Sequence, residues 1–168
     1  MSAPLPEAET LVERLVAELR PALRLDTAMV GIHTGGAWLA ERLHAALGLA
    51  TPLGVVDVAF YRDDYSGRGL KRDPKRTRIP FDVGGRELLL VDDVLYTGRT
   101  VRAAINEIFD WGRPRSIALV VLADRGGRQL PICAQYVGAR IELPESVRLR
   151  LRRDPAGRLR FESEQRGG

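Results

Sequence analysis

Three short runs of this chain contain no polar side chain at all: Ala28 to Ile32, Leu88 to Val91 and Ile117 to Leu122. A strand with one wet face alternates apolar and polar residues, whereas a run that is apolar throughout is buried on both faces. Helically spaced segments flank these runs. Leu11, Val12, Leu15, Val16 and Leu19 predict a helix over Glu7 to Arg20, limited by Pro21. A second helix is expected over Ala37 to Leu47 with Gly48 as its stop, and a third over Arg99 to Trp111 through Val101, Ala104, Ile105 and Ile108. Strands alternating with helices specify an α/β fold, with a mostly parallel central sheet flanked by helices.

Further strands are expected at Val55 to Tyr61 and at Tyr136-Val137. Towards the C-terminus Val147, Leu149 and Leu151 alternate with Arg148, Arg150 and Arg152, and Leu159-Arg160-Phe161 repeats the pattern after a turn at Asp154 to Gly157. This predicts a β-hairpin with one arginine-rich face. The simplest reading of those arginines is the wet face of an edge hairpin, where charge discourages strand-to-strand association.

The 168 residues, without repeats or a Gly/Ser linker, suit one domain. With 45% hydrophobic and 29% charged residues the chain is ordinary for a globular protein, which excludes disorder and fibres. No apolar run approaches the roughly 18 residues that cross a bilayer, and no secretory leader pattern is present, so a reducing cytoplasm is the expected location. Cys133 alone makes no internal disulfide, and two histidines, His33 and His44, suit a zinc enzyme poorly. His33 reads as structural, His44 as surface, and Cys133, Trp38 and Trp111 as packed. All but two of the 26 basic residues are arginine, the exceptions being Lys71 and Lys75. Arginine suits bidentate phosphate contacts, although a genome that favours arginine over lysine gives the same bias. The basic stretch Arg62 to Pro80 carries few apolar residues and is long for a loop inside a compact domain, which marks it as functional or disordered.

The chemistry concentrates in LLLVDDVLYTGRT, Leu88 to Thr100. A buried strand delivers Asp92 and Asp93 to its end, and Val94, Leu95, Tyr96, Thr97, Gly98, Arg99 and Thr100 lead into a helix. In parallel sheets, ligands bind beyond the carboxyl ends of the strands. A loop feeding a helix N-terminus offers unpaired N–H groups to a phosphate. Paired carboxylates suit ribose hydroxyls or a magnesium ion. A ribose 5-phosphate satisfies both.

This segment resembles the phosphoribosyl-diphosphate (PRPP) signature of the type I phosphoribosyltransferases. Together with DRGGRQLPI (Asp124 to Ile132) and YRDD (Tyr61 to Asp64), it resembles the PyrR family, pyrimidine-operon regulators with uracil phosphoribosyltransferase activity. The likeness runs from about Glu7 to the hairpin. It implies a type I phosphoribosyltransferase fold with the hairpin as a hood, one domain over residues 1–168, and conversion of uracil and PRPP to UMP and pyrophosphate with Mg2+. By the same resemblance Asp92 and Asp93 hold the ribose and, through it or through water, the metal. They and Arg62 are the catalytic residues. Val94 to Thr100 bind PRPP, with Tyr96 to Thr100 around the 5-phosphate, and Thr34, Gly35 and Gly36 form the pyrophosphate loop. Arg62 to Arg78 form a flexible lid reaching about Pro80, hinged at Tyr61 and Arg62, while Leu122, Ala123, Asp124 and Arg125 lie beside the base. A homodimer or higher oligomer and a leader mRNA are the implied partners, with no membrane.

The likeness departs at one position: the family pattern often carries an arginine where this chain has Gly35. Pyrophosphate then relies on backbone N–H groups, magnesium and lid arginines. Other readings make different predictions. A phosphoacceptor receiver domain places its acidic pair after the first strand and a lysine late in the chain, and neither holds here. A nucleotide-sensing RNA attenuator with weak or no catalysis would bind leader RNA through Arg14, Arg20, Arg24 and the hairpin in a salt-dependent way. Against it, Glu13 and Ala17 stand where Thr- and His-like contacts are expected. A purine or orotate phosphoribosyltransferase would be separated by base competition.

Overall fold

The computed structural model describes residues 4–58 and 77–167. Helix α1 spans Ala8–Leu19 and runs into a 3-10 turn, Arg20–Ala22, where Pro21 ends the α-helical ladder. Strand β1 (Ala28–Ile32) leads into α2 (Gly35–Leu47), which Gly48 stops in the left-handed region at φ 63°. The Gly48 N–H donates to the carbonyls of His44 and Ala45, closing the helix end. Then follow β2 (Gly54–Val56), β3 (Glu87–Leu95), α3 (Arg99–Trp111), β4 (Ser116–Asp124) and β5 (Tyr136–Arg140). The hairpin is β6 (Val147–Arg153) and β7 (Leu159–Gln165).

Five strands form one parallel sheet in the order β2-β1-β3-β4-β5. In register, Val30 lies beside Leu90 and Leu90 beside Leu119, so the uninterrupted apolar runs stack as the centre of the sheet. Successive side chains leave on opposite faces. Met29, Leu89, Val91, Val120 and Leu122 meet Leu15, Leu39 and Leu43 of α1 and α2. Val30, Leu88, Leu90, Leu119 and Val121 meet Val101, Ala104 and Ile108 of α3. Truncating fully buried Leu39 or Leu43 to Ala would cost about 2–5 kcal/mol.

Among the described residues the hairpin forms a separate sheet and pairs with none of the five parallel strands. Its apolar side carries buried Leu149, Leu151 and Leu159, and the last two join the core under α1 and α2. At its turn end Glu9 of α1 accepts from Leu159 N–H at 2.7 Å and from both terminal nitrogens of Arg42 at 2.8 and 2.6 Å. Arg153 reaches Glu41 at 2.9 Å.

Several expectations need correction. Strand β3 does not end at Asp92-Asp93 but continues through Leu95, because Asp92, Val94 and Leu95 still pair with β4. Helix α2 begins at Gly35, two residues early, since only glycines tolerate the close approach of its first turn to β3. The second strand is three residues long, and residues 59–61 of the expected run lie outside the described residues. So do Tyr61, Arg62 and the expected lid apart from Thr77 to Pro80. Within that remnant Arg78 pairs antiparallel with Val55. Cys133 is exposed and Trp111 is 46% exposed, so neither packs as expected. His44 is half-buried, its Nε2 bonded to the Thr51 carbonyl at 2.7 Å.

Candidate active site

The chain leaves β1 towards β2 on one side and returns as β3 on the other. At such a change of direction a crevice opens at the carboxyl ends of the two strands. Here it is a cleft of about 380 Å³. Thr34 and Gly35 line it after β1, and Asp92 to Gly98 line it from the end of β3. Thr100 and Val101 of α3, Trp38 of α2, Arg125 after β4, and β6 complete its walls.

Glycine sets how closely these walls approach. A β-carbon on Gly35 would fall 2.7 Å from Cγ of Asp93, and one on Gly36 would fall 2.6 Å from the Val91 carbonyl oxygen. Both distances are too short for any side chain, so the β1–α2 turn rests directly on the acidic end of β3. The His33–Thr34 peptide preceding it is cis.

Asp92 is 2% exposed and Asp93 7%, although both line the cleft. Buried carboxylates need donors. Asp92 Oδ1 accepts from Asp93 N–H at 2.9 Å, and Asp93 Oδ1 accepts from Val94 N–H at 2.9 Å. Each acid is thereby oriented by the backbone of the next residue.

The loop from Tyr96 to Gly98 turns into α3 through Gly98 at φ 92°, where a β-carbon would also sit 2.9 Å from Ile132. Buried Thr97 accepts from Arg99 N–H at 3.2 Å, and its carbonyl receives Gln129 and Leu130 N–H at 2.9 and 3.1 Å. The Arg99 side chain turns outward and donates to Gln129 at 2.8 Å. The start of α3, with Gly98, Thr100 and Val101, thus lines the cleft, and a helix N-terminus of this kind can hold a phosphate.

Asp124 ends β4 and is 4% exposed. It accepts from Arg128 at 2.6 Å, Arg140 at 3.3 Å and Gly126 N–H at 2.9 Å. Burial raises its pKa, but the Arg128 hydrogen bond, the Gly126 N–H and the two guanidinium charges outweigh this and leave it below the usual aspartate value. Its neighbour Arg125 is 7% exposed, donates to the Val147 carbonyl at 2.7 Å and the Pro144 carbonyl at 3.0 Å, and stacks 4.2 Å from the centre of the Tyr96 ring. Burial pushes its guanidinium pKa down.

Of the residues read from the sequence, the structure brings Thr34, Gly35, Asp92 to Gly98, Thr100 and Arg125 to one cleft. Gly36 is packed beneath it, and Arg99 points away. Leu122 and Ala123 are fully buried in the sheet and Asp124 is spent on arginines, so of the four residues expected beside the base only Arg125 lines the cleft. The hairpin arginines are not simply a wet face: Arg148, Arg150 and Arg152 line the cleft, with Glu162 and Glu164 paired against Arg150 and Arg152. Trp38 and Arg166 line it too and were missed. Trp38 carried a signal, since it stands three residues, about one helical turn, after Gly35.

Among the described residues no cluster of three Asp, Glu, His or Cys side chains could hold a metal. Asp92 and Asp93 therefore fit magnesium only as part of its shell. That ion characteristically takes one or two carboxylates and completes its octahedron with water and substrate oxygens.

The phosphoribosyl transferase domain matches residues 4–146. A bifunctional protein PyrR of Ralstonia nicotianae is 50% identical over 155 residues, 90% of this chain and 88% of that protein. One from Pseudomonas aeruginosa is 46% identical over 88% of this chain and 89% of that protein. Among solved structures, a hypoxanthine-guanine phosphoribosyltransferase from Bacillus anthracis superposes with a TM-score of 0.66 at 17% identity, over 88% of this chain and 85% of that one. At that identity the likeness is one of fold alone.

Proposed function

The chain belongs to the phosphoribosyl transferase domain family, within its PyrR group, and on that premise we propose that it transfers the phosphoribosyl group of PRPP to uracil. The products are UMP and pyrophosphate. The observation that carries the reading is the meeting of three parts in one cleft: the glycine turn after β1, the paired acids of β3 and the N-terminus of α3. We read the whole chain as one such domain.

In this reading the α3 start holds the 5-phosphate through backbone N–H groups, and Asp92 and Asp93 accept the ribose hydroxyls. Thr34 and the Gly35 backbone face the pyrophosphate. N1 of uracil bonds to the anomeric carbon as the carbon–oxygen bond to pyrophosphate breaks, the electron pair leaving with pyrophosphate and the N1 proton being lost. Positive charge builds on the ribose in the transition state, and the two fixed carboxylates stabilise it without reorganising. Asp92 and Asp93, together with substrate oxygens, would hold magnesium, which would supply neutralisation of the leaving diphosphate. The hood walls this centre from water, which would otherwise intercept it. A multiply charged sugar diphosphate does not cross a bilayer unaided, so the cytoplasm is the compartment that accords with the reading.

Control of pyrimidine genes through a leader mRNA is the second role we assign, on the PyrR membership. Of the arginines expected to meet RNA, Arg14 donates to the Gly138 carbonyl, Arg20 to the Ala46 carbonyl, and Arg24 pairs with Glu87. A sensor with little catalysis is not favoured, since the cleft retains the acidic pair and the phosphate loop. A homodimer or higher oligomer is part of the proposal.

The test is pyrophosphate release with magnesium and PRPP, comparing uracil with orotate, hypoxanthine and guanine. Turnover with uracil alone is expected. Turnover of a purine or orotate instead would overturn the base assignment. PRPP or UMP binding without turnover of any base would turn the reading into a nucleotide sensor.

A further inference from the structure

The hairpin is anchored at two ends by different means. Its turn end is tied to α1 and α2 through Glu9, Arg42 and Glu41. Its open end is tied by Arg125, whose terminal nitrogens cap the carbonyls of Pro144 and Val147 just where β6 begins. The Arg166 N–H closes the same end by donating to the Ser146 carbonyl at 2.7 Å.

Arg125 is an unusual residue to find there. It is 7% exposed, its Nε is buried without a hydrogen-bond partner, and the carboxylate whose charge acts on it is Glu145. A buried cation is costly even with a carboxylate near it, and burial is the largest influence on this one. What offsets the charge is the Tyr96 ring, 4.2 Å from the Arg125 guanidinium carbon, together with the negative charge of Glu145; Arg166, 5.3 Å from the same ring, opposes it. Tyr96 is itself immobilised. Its carbonyl accepts from Arg128 at 2.7 Å, and Gly127 packs against its ring so closely that a β-carbon there would lie 2.9 Å from Cδ2. The stack therefore joins three distant parts of the chain: the loop between β3 and α3, the end of β4 and the open end of the hairpin.

We infer that Arg125, stacked on Tyr96, is a positioning residue that fixes the open end of the hood relative to the phosphate loop and so sets the affinity for the base. The kinetic part rests on the reaction proposed above; the structural part does not. An apolar side chain of similar length loses both carbonyl bonds and the ring contact at once, and the open end is released while the buried leucines and the Glu9 tie hold the rest. The base subsite loses its fixed roof, and the PRPP subsite, built on β1, β3 and α3, does not.

Two measurements on the full chain test this. In Arg125→Met, amide hydrogen exchange is expected to quicken at least tenfold at residues 145–150 and 163–166 and to stay within twofold in β1 and β3. The KM for uracil is expected to rise about tenfold while the KM for PRPP stays within twofold. Tyr96→Leu should raise the uracil KM likewise, and the double variant should be no worse than the poorer single one. Because Arg166 is exposed, Arg166→Ala keeps the test available if Arg125→Met does not fold, with a smaller change confined to the same amides. Unchanged exchange at the open end, acceleration spread evenly through β1 and β3, or both KM values rising together would each overturn the inference. Absence of uracil turnover in the wild type would overturn the reaction and not the staple, which the exchange pattern decides alone.

Discussion

Gly35 stands against Asp93 so closely that a β-carbon would fall 2.7 Å from the carboxylate carbon. The β1–α2 turn and the acidic end of β3 therefore share a contact that admits only hydrogen. Gly35→Ala must push the Asp93 side chain or the first turn of α2 aside, and Gly35→Arg meets the same obstacle. Both are expected to lower kcat/KM for PRPP by at least about tenfold, equivalent to roughly 1.4 kcal/mol of lost transition-state stabilisation. PRPP-dependent pyrophosphate release measures this, and an unchanged value in Gly35→Ala would show the contact to be soft.

Gly127 supports Tyr96 from the opposite direction. Its φ of 73° is in the left-handed region, and a β-carbon would meet the tyrosine ring. Gly127→Ala combines backbone strain of about 1–2 kcal/mol with a steric push on the ring. A chain of this size loses roughly 2–4 °C in Tm per kcal/mol, so a calorimetric melt should fall by about 2–8 °C. An unaltered Tm would mean that the loop relaxes freely.

The order of elements and the acid–loop–helix segment were legible because their causes are local. Apolar runs without alternation require burial on both faces, and LLLVDD followed by YTGRT ends a buried strand and opens a helix within thirteen residues. What escaped was set by long-range packing. That β3 continues past its acids depends on its pairing with β4, which no local pattern records. The role of the hairpin arginines depends on where the hairpin lies: Arg148, Arg150 and Arg152 read as a solvated face until the apolar side is seen to dock on α1 and α2, which turns β6 to the cleft. Arg125 and Asp124 are adjacent and both charged, yet one lines the cleft and the other is consumed by Arg128 and Arg140.

The turn-end anchor carries a pH signature. Two hydrogen bonds from Arg42, and the Leu159 N–H, hold the Glu9 carboxyl below its usual value of 4.5 despite its burial. A carboxyl whose folded-state pKa is depressed stabilises the fold above the unfolded pKa and loses that contribution as pH falls through the folded value. Glu9→Gln should therefore be less stable than wild type at pH 7 by about 1–2 kcal/mol. The deficit should shrink below pH 4.5. Urea melts of both proteins at pH 7 and pH 4 test it, and a constant difference would exclude Glu9 titration as the cause.

Asp92 and Asp93 provide the sharpest separation of chemistry from folding. In each, one oxygen accepts the backbone N–H of the following residue at 2.9 Å. Asparagine presents a carbonyl oxygen at the same place, so Asp92→Asn with Asp93→Asn can keep those two bonds while removing the charge and turning each second oxygen into an NH2 donor. Two buried negative charges on adjacent residues repel, and their neutralisation should leave Tm unchanged or raised. The reaction needs the charge, because the ribose becomes cationic as pyrophosphate departs and the diphosphate arrives with its metal. The double variant should thus retain the fold and lose more than tenfold in uracil-dependent pyrophosphate release. Circular dichroism with a thermal melt, read beside the assay, separates the two effects. A double variant that melts normally and turns over at the wild-type rate would remove the acidic pair from the mechanism, whereas one that fails to fold would make the pair a structural element of β3.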